Sequence, residues 1–204
     1  MVALITDPDL EERLIAQRQA CGGDRYDEVW EGVYVMSPLP NIEHQQIVAR
    51  LVRILGEVVG WQGQGEVFAG INLSDQAEEW QHNYRCPDVA VILSGSGAEA
   101  SEAHFRGPAD FLVEVISPGD RTREKLPFYA RLGVRELLVI DRQPWAIELY
   151  RLEGAELHQV GRSTCEGGEI LTSQAVPSTC QLLPGQPRPQ IRVTHAESGR
   201  SWTV

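Results

Sequence analysis

The sequence predicts a mixed α/β (α+β) domain in which a central sheet is flanked by helices and carries extra β-hairpins. Three observations lead there. The stretches 84–93 (YRCPDVAVIL) and 109–116 (ADFLVEVI) are nearly continuous apolar runs of strand length. Such runs belong to strands covered on both faces. The segment 41–60 (NIEHQQIVARLVRILGEVVG) instead repeats its apolar residues every three to four positions, the mark of a helix with one buried side. The two patterns alternate along the chain, as in a sheet with helices packed on it.

The elements follow in order. Residues 7–20 read as an amphipathic helix, with Leu10, Leu14 and Ala16 near one side and Cys21-Gly22-Gly23 ending it. Residues 26–37 (YDEVWEGVYVMS) read as a hairpin turning near Glu31-Gly32, with Pro38 and Pro40 breaking its second strand. Over 41–60, Asn41 suits the N-cap and Gly60 the stop. His44, Ile47, Val48, Leu51, Leu55 and Val58 share one face of that helix. Short strands come next, around 66–73, then the two apolar strands with the small-residue loop 94–108 between them. A helix is expected over 121–132, ended by Gly133, and strands at 136–141 and 146–152 around Arg142-Gln143-Pro144. From 153 onward, strand-like pieces mix with Gly and Pro in a β-rich C-terminal extension, 153–204, of a single domain, 1–204.

Composition narrows the function. With 42% hydrophobic and 23% charged residues the chain resembles an ordinary soluble globular protein. No apolar run approaches the roughly 18 residues of a membrane span. The first residues lack the basic flank and long apolar stretch of a signal peptide, so a cytoplasmic protein is expected. Cys21, Cys86, Cys165 and Cys180 form no CxxC pair and are too sparse for a disulfide scaffold or a zinc site. The net charge of −11 argues against a nucleic-acid partner, because phosphate binding relies on Lys and Arg. One basic island runs against that average. Residues 121–135 hold Arg121, Arg123, Lys125, Arg131 and Arg135 against Glu124 alone. Such an island is either a solvated helix face or a surface for phosphates.

Each apolar strand carries one acid, Asp88 after Pro87 and Glu114 late in the second run. Position 101 lies midway between them and is also the centre of the loop 94–108. If the strands pair as antiparallel neighbours, Asp88 falls opposite Glu114, on the same face with Cβ atoms about 5 Å apart. Two buried carboxylates that close need a shared proton, a basic partner or a metal cation. A hard ion such as Mg²⁺ suits an all-oxygen pair. The alternative is that Asp88 caps a loop and Glu114 pairs with an arginine. Lys125 shares a face with Phe128, Tyr129 and Leu132 and can reach back toward Glu114, or can lie with its stem along the core.

Asp88 within Pro-Asp, Glu114 on the next core strand and a following lysine together resemble the PD-(D/E)XK nuclease superfamily. In context, YDEVWEGVYVMSPLP, His44 on a helix, CPDVAVI, FLVEVISPGDR and KLPFYARLGVRELLVID are similar to the Uma2-family restriction-endonuclease-like proteins, over about 25–152. The resemblance implies a restriction-endonuclease-like core over that range, with Asp88 and Glu114 as Mg²⁺ ligands and the main-chain carbonyl of Val115 as a third. It implies a metal-held water attacking a phosphodiester of DNA. The lysine expected two residues after Glu114 is Ile116, and Lys125 from the following helix is its substitute, although Pro127 complicates that helix. His44 points inward, toward the metal or into a core hydrogen bond. Glu31 matches the family's first hairpin, and Arg121 and Arg123 become candidates for binding nucleic acid. The leading expectation is a Mg²⁺-dependent endonuclease, with a homodimer supplying two sites for two strands. The alternatives are a nuclease fold kept for binding without catalysis, and an oligomeric interaction protein in which Trp80 and Trp145 would matter.

Overall fold

In the computed structural model, which describes residues 7–37, 39–60, 63–117 and 119–204, the chain begins with α1 (Pro8–Ala20), β1 (Glu28–Trp30) and β2 (Val33–Val35). There follow α2 (Ile42–Leu55), β3 (Gly65–Ala69), β4 (Asn72–Ser74), β5 (Tyr84–Arg85) and β6 (Val89–Leu93). Next come β7 (Glu99–Ala100), β8 (His104–Arg106), β9 (Phe111–Val115) and α3 (Leu126–Leu132). The remaining strands are β10 (Glu136–Arg142), β11 (Trp145–Glu153), β12 (Glu156–Thr164), β13 (Leu171–Thr172), β14 (Ser178–Leu183), β15 (Gln190–His195) and β16 (Ser201–Thr203). The reading of the N-terminus, of Pro38 as a strand breaker and of Pro118 in the SPGD turn falls on residues outside those described. No described helix is long and apolar enough to cross a membrane.

The two apolar runs become neighbours in a six-stranded central sheet of order β12-β11-β10-β9-β6-β3. β6 and β9 pair antiparallel, with Val89 opposite Val113, Ala90 opposite Leu112 and Val91 opposite Phe111. β9 and β10 pair parallel, and α3 makes the crossover between them. Side-chain alternation then divides the strands between two cores. Phe111, Val113 and Val115 face Ile47, Leu51 and Ile54 of α2 and the C-terminal strands. Leu112 faces Phe128, Tyr129 and Leu132 of α3. Glu114 shares the parity of Leu112 and so points to the α3 side.

A second sheet, β2-β1-β5-β4-β8-β7, lies beside this one, and a third, β13-β14-β15-β16, closes the α2 side. The third is fastened to the central sheet by Glu136. Its buried carboxylate pairs with Arg151 at 2.8 Å and accepts the amides of Gln174 and Ala175 at 3.1 and 3.2 Å. Trp80 stacks on His104 at 4.7 Å, and Trp145 lies under Arg188 at 5.5 Å.

Five expectations change. The segment 84–93 is not one strand: β5 joins the hairpin sheet and β6 the central one, with Cys86-Pro87-Asp88 crossing between them. An apolar run shows burial but not which sheet buries it. The loop 94–108 holds the short strands β7 and β8. α1 buries none of its residues; it is held by the Asp7 cap and by Arg18 pairing with Asp27 rather than by an apolar face. The helix expected over 121–132 is a 3₁₀ turn, Thr122–Lys125, followed by α3. Pro127 thereby falls in the first α-helical turn, where no intrahelical N–H bond is lost. The central sheet also continues past 152 into β12.

Candidate active site

The central register, carried one step beyond Val89 and Val113, sets Asp88 opposite Glu114. At that point the Asp88 side chain replaces a strand partner: its Oδ2 accepts the Val115 amide at 2.7 Å. A residue's N–H and C=O leave a strand on the same side. The Val115 carbonyl therefore also faces the Asp88 edge. Asp88 Oδ2 lies 3.2 Å from His44 Nε2, near the start of α2. The buried Nδ1 has no hydrogen-bond partner among the described residues.

Glu114 is almost wholly buried, with 4% of its side chain exposed, whereas Asp88 keeps 18%. Glu114 Oε1 accepts from Lys125 Nζ at 3.0 Å and from the Tyr129 hydroxyl at 2.6 Å. Burial pushes the Glu114 carboxyl up to about 8; Lys125 pulls it down, and Asp88 and Glu28 push it further up. Lys125 is raised well above its ordinary value, because Glu114 and Glu28 outweigh the desolvation that would lower it. Its Nζ is 2.8 Å from Glu28 Oε1.

The structure therefore brings together Asp88, Glu114, Val115, Lys125 and His44. Glu31 is not among them. It occupies the β1–β2 turn with φ 53° before Gly32 at φ 85°, a mirror-image two-residue turn. Its exposed carboxylate pairs with Arg131 at 3.0 Å. The acid that the hairpin sends inward is Glu28, at the other end of β1, with 2% exposure. Glu28 and the Tyr129 hydroxyl, both in this cluster, are not among the site residues expected from the sequence. Composition held one usable signal: Lys125 is the only lysine in 204 residues, and the other 17 basic residues are arginine. A site that needs a compact ammonium rather than a planar fork explains such an exception. Ile116 and Glu114, two apart, face the same side; Ile116 fills core there, and the ammonium enters from the 3₁₀ turn instead.

The basic island is paired with acids, mostly from outside it. Arg121 pairs with Glu124, Arg123 with Glu148 at 3.0 Å and Asp141 at 3.4 Å, and Arg135 with Asp110 at 3.3 Å. Arg121 and Arg123 lie on the surface outside the acid cluster. A cleft of about 530 Å³ opens where β9 ends, with Asn41, Ser117, Asp141, Arg142 and Trp145 among its walls.

Among the described residues no group of three or more His, Cys, Asp or Glu forms a metal cage. The donor set is smaller and all oxygen. No hydrogen bond among the described residues engages Asp88 Oδ1 or Glu114 Oε2, and the Val115 carbonyl faces the same edge. Two carboxylate oxygens and a carbonyl fit a hard cation that keeps several waters.

None of the curated proteins matches the chain. Among solved structures it is similar to one described as "a putative nuclease belonging to DUF820" from Anabaena variabilis. The two are 18% identical over 65% of this chain and 75% of that one, with a TM-score of 0.53, a likeness of fold. The model of the Uma2 family, described as "Putative restriction endonuclease", matches residues 16–184, a span that takes in α2, the whole central sheet and the acid cluster. The chain belongs to the Uma2 family.

Proposed function

We propose that this protein is a divalent-metal-dependent nuclease that hydrolyses phosphodiester bonds in DNA. One observation carries the reading: Asp88, Glu114 and Lys125 converge at one sheet end, and each acid keeps an oxygen free of hydrogen bonds from the described residues. Glu28, Asp88 and, once it gives up its proton to a cation's field, Glu114 set three carboxylates against one lysine, a deficit of two charges that Mg²⁺ would balance. Asp88 Oδ1, Glu114 Oε2 and the Val115 carbonyl are the groups to hold it. When bound, such an ion supplies a water of lowered pKa and screens the phosphate.

The chain's own residues do the rest. The Val115 amide, with His44 Nε2 beside it, holds Asp88 by one oxygen and leaves the other without a hydrogen bond from the described residues. The Tyr129 hydroxyl does the same for Glu114. The Lys125 ammonium, excluded from bulk water, is the group to steady charge developing on the phosphate. The cleft at the end of β9, walled by Asn41, Ile116 and Ser117 rather than by the acids themselves, is the space we assign to the substrate.

A second reading is supported by Lys125 being shared by two carboxylates and by the pairing of the island's arginines: a nuclease fold that binds nucleic acid without cutting it. Plasmid and branched DNA incubated with Mg²⁺ separate the two. The nuclease reading expects cleavage by the wild type, none after chelation and at least a 10²-fold loss in Asp88→Ala. Cleavage indifferent to Asp88→Ala or to chelation would refute it. Binding without cleavage would favour the second.

A further inference from the structure

The two acids that share Lys125 are not equivalent. Each oxygen of Glu28 has a protein partner. Oε1 accepts the Cys86 amide at 2.8 Å and is ion-paired with the lysine at 2.8 Å, and Oε2 accepts the Trp30 indole N–H at 2.6 Å. Glu114 has Oε2 to offer elsewhere. Glu28 also stands on a braced support. Trp30 lies between the guanidinium groups of Arg85, at 4.6 Å, and Arg121, at 4.5 Å. Arg85 covers Phe128 as well, at 4.2 Å, beside the tyrosine that bonds Glu114. Next to Glu28, Asp27 is held by Arg18, by the Tyr34 hydroxyl at 2.7 Å and by the Ser37 amide at 2.7 Å. Glu114 is thus the acid that can turn to a cation, and Glu28 the one that cannot follow it.

We propose that Glu28 is the positioning residue of this site: it anchors the Lys125 ammonium independently of Glu114 and, through the Cys86 amide, fixes the crossover that presents Asp88. The catalytic meaning of this anchor rests on the nuclease reading above; the anchoring itself does not. When Glu114 engages a cation, the ammonium stays with Glu28 instead of swinging free on its four-carbon stem. A misplacement of about 1 Å in such a group is worth about 10²-fold in rate.

Because Lys125 is the only lysine, protein labelled with ¹⁵N at lysine Nζ has a single side-chain ammonium to observe. An ammonium held in buried hydrogen bonds exchanges slowly enough with water to give a proton–nitrogen signal, and a free one does not. The wild type is expected to show this signal without metal and at saturating Mg²⁺. Glu114→Gln is expected to keep it and Glu28→Gln to lose it. In cleavage, Glu28→Gln should lower kcat about 10²-fold with KM changed less than about threefold, and Glu28→Asp should recover part of the loss. No ammonium signal in the wild type, or one that survives Glu28→Gln, overturns the proposal. Should Glu28→Gln fail to fold, the wild type decides alone: a signal that persists at saturating Mg²⁺ upholds the anchor, and one that vanishes overturns it. If the signals behave as expected but no DNA is cut, the nuclease reading fails and the anchor stands.

Discussion

At Lys125 a single ammonium serves two buried carboxylates, so its removal should be felt in both folding and function. Lys125→Met leaves the buried Glu28 without an ion pair among the described residues and is expected to cost about 3–5 kcal/mol in chemical unfolding; a change under about 1 kcal/mol would contradict the assignment. Glu114 adds a pH dependence with a definite sign. Burial raises its carboxyl from 4.5 to about 8, so the folded state keeps a proton that the unfolded chain releases. Its contribution to stability is fully present below about pH 4.5 and is lost as pH rises through about 8. Without metal, Glu114→Gln should therefore gain stability relative to the wild type between about pH 5 and pH 8, and a difference that does not vary with pH would count against the raised carboxyl. Residue identity alone made Asp88 and Glu114 legible, since acids among apolar neighbours have few explanations. Glu28 was not legible. It sits on a three-residue strand whose burial depends on β5 and on the 3₁₀ turn, both distant in sequence.

Among the elements, the β6–β9 pair could be read in advance because the loop between the strands is symmetric about position 101, and the observed register keeps that centre. The split between β5 and β6 could not, because Pro87 marks a break without saying where the chain goes next. The start of α3 needed tertiary placement as well: Lys125 belongs to the 3₁₀ turn that lets Pro127 fall in the first turn. Outside the acid cluster, close packing of β3 on β6 offers a test of element against site. A Cβ added at Gly65 would lie 2.5 Å from the Ile92 carbonyl oxygen and 2.8 Å from Leu93 Cα. Gly65 pairs with Leu93, at the end of β6 away from Asp88. Gly65→Ala is expected to cost about 1–3 kcal/mol in stability while leaving Mg²⁺ affinity within about threefold. A large loss of affinity at full stability would mean that β3 shapes the site directly.

Over the whole molecule, charge is arranged by pairing rather than by excess. The net −11 is unevenly spread, and the island 121–135 is answered arginine by arginine by acids from the turn after β1, the 3₁₀ turn, the start of β9, β10 and β11. The island itself was visible in the sequence; its partners, scattered from Glu31 to Glu148, were not. Exposed pairs are weak enough to be exchanged for phosphate oxygens. Arg121→Gln with Arg123→Gln, which avoids placing a new acid beside Glu148, should weaken DNA association and reduce the slope of log K against log salt by about 2. An unchanged slope would remove these arginines from the nucleic-acid surface.

The central claim is that two acids from neighbouring strands share one cation, and a calorimetric titration with Mg²⁺ addresses it most directly. The wild type is expected to bind the ion at one site, and Asp88→Asn, with the same shape and one charge fewer, to lose at least about tenfold in affinity. No heat of binding in the wild type, or equal affinity in the two proteins, would contradict it.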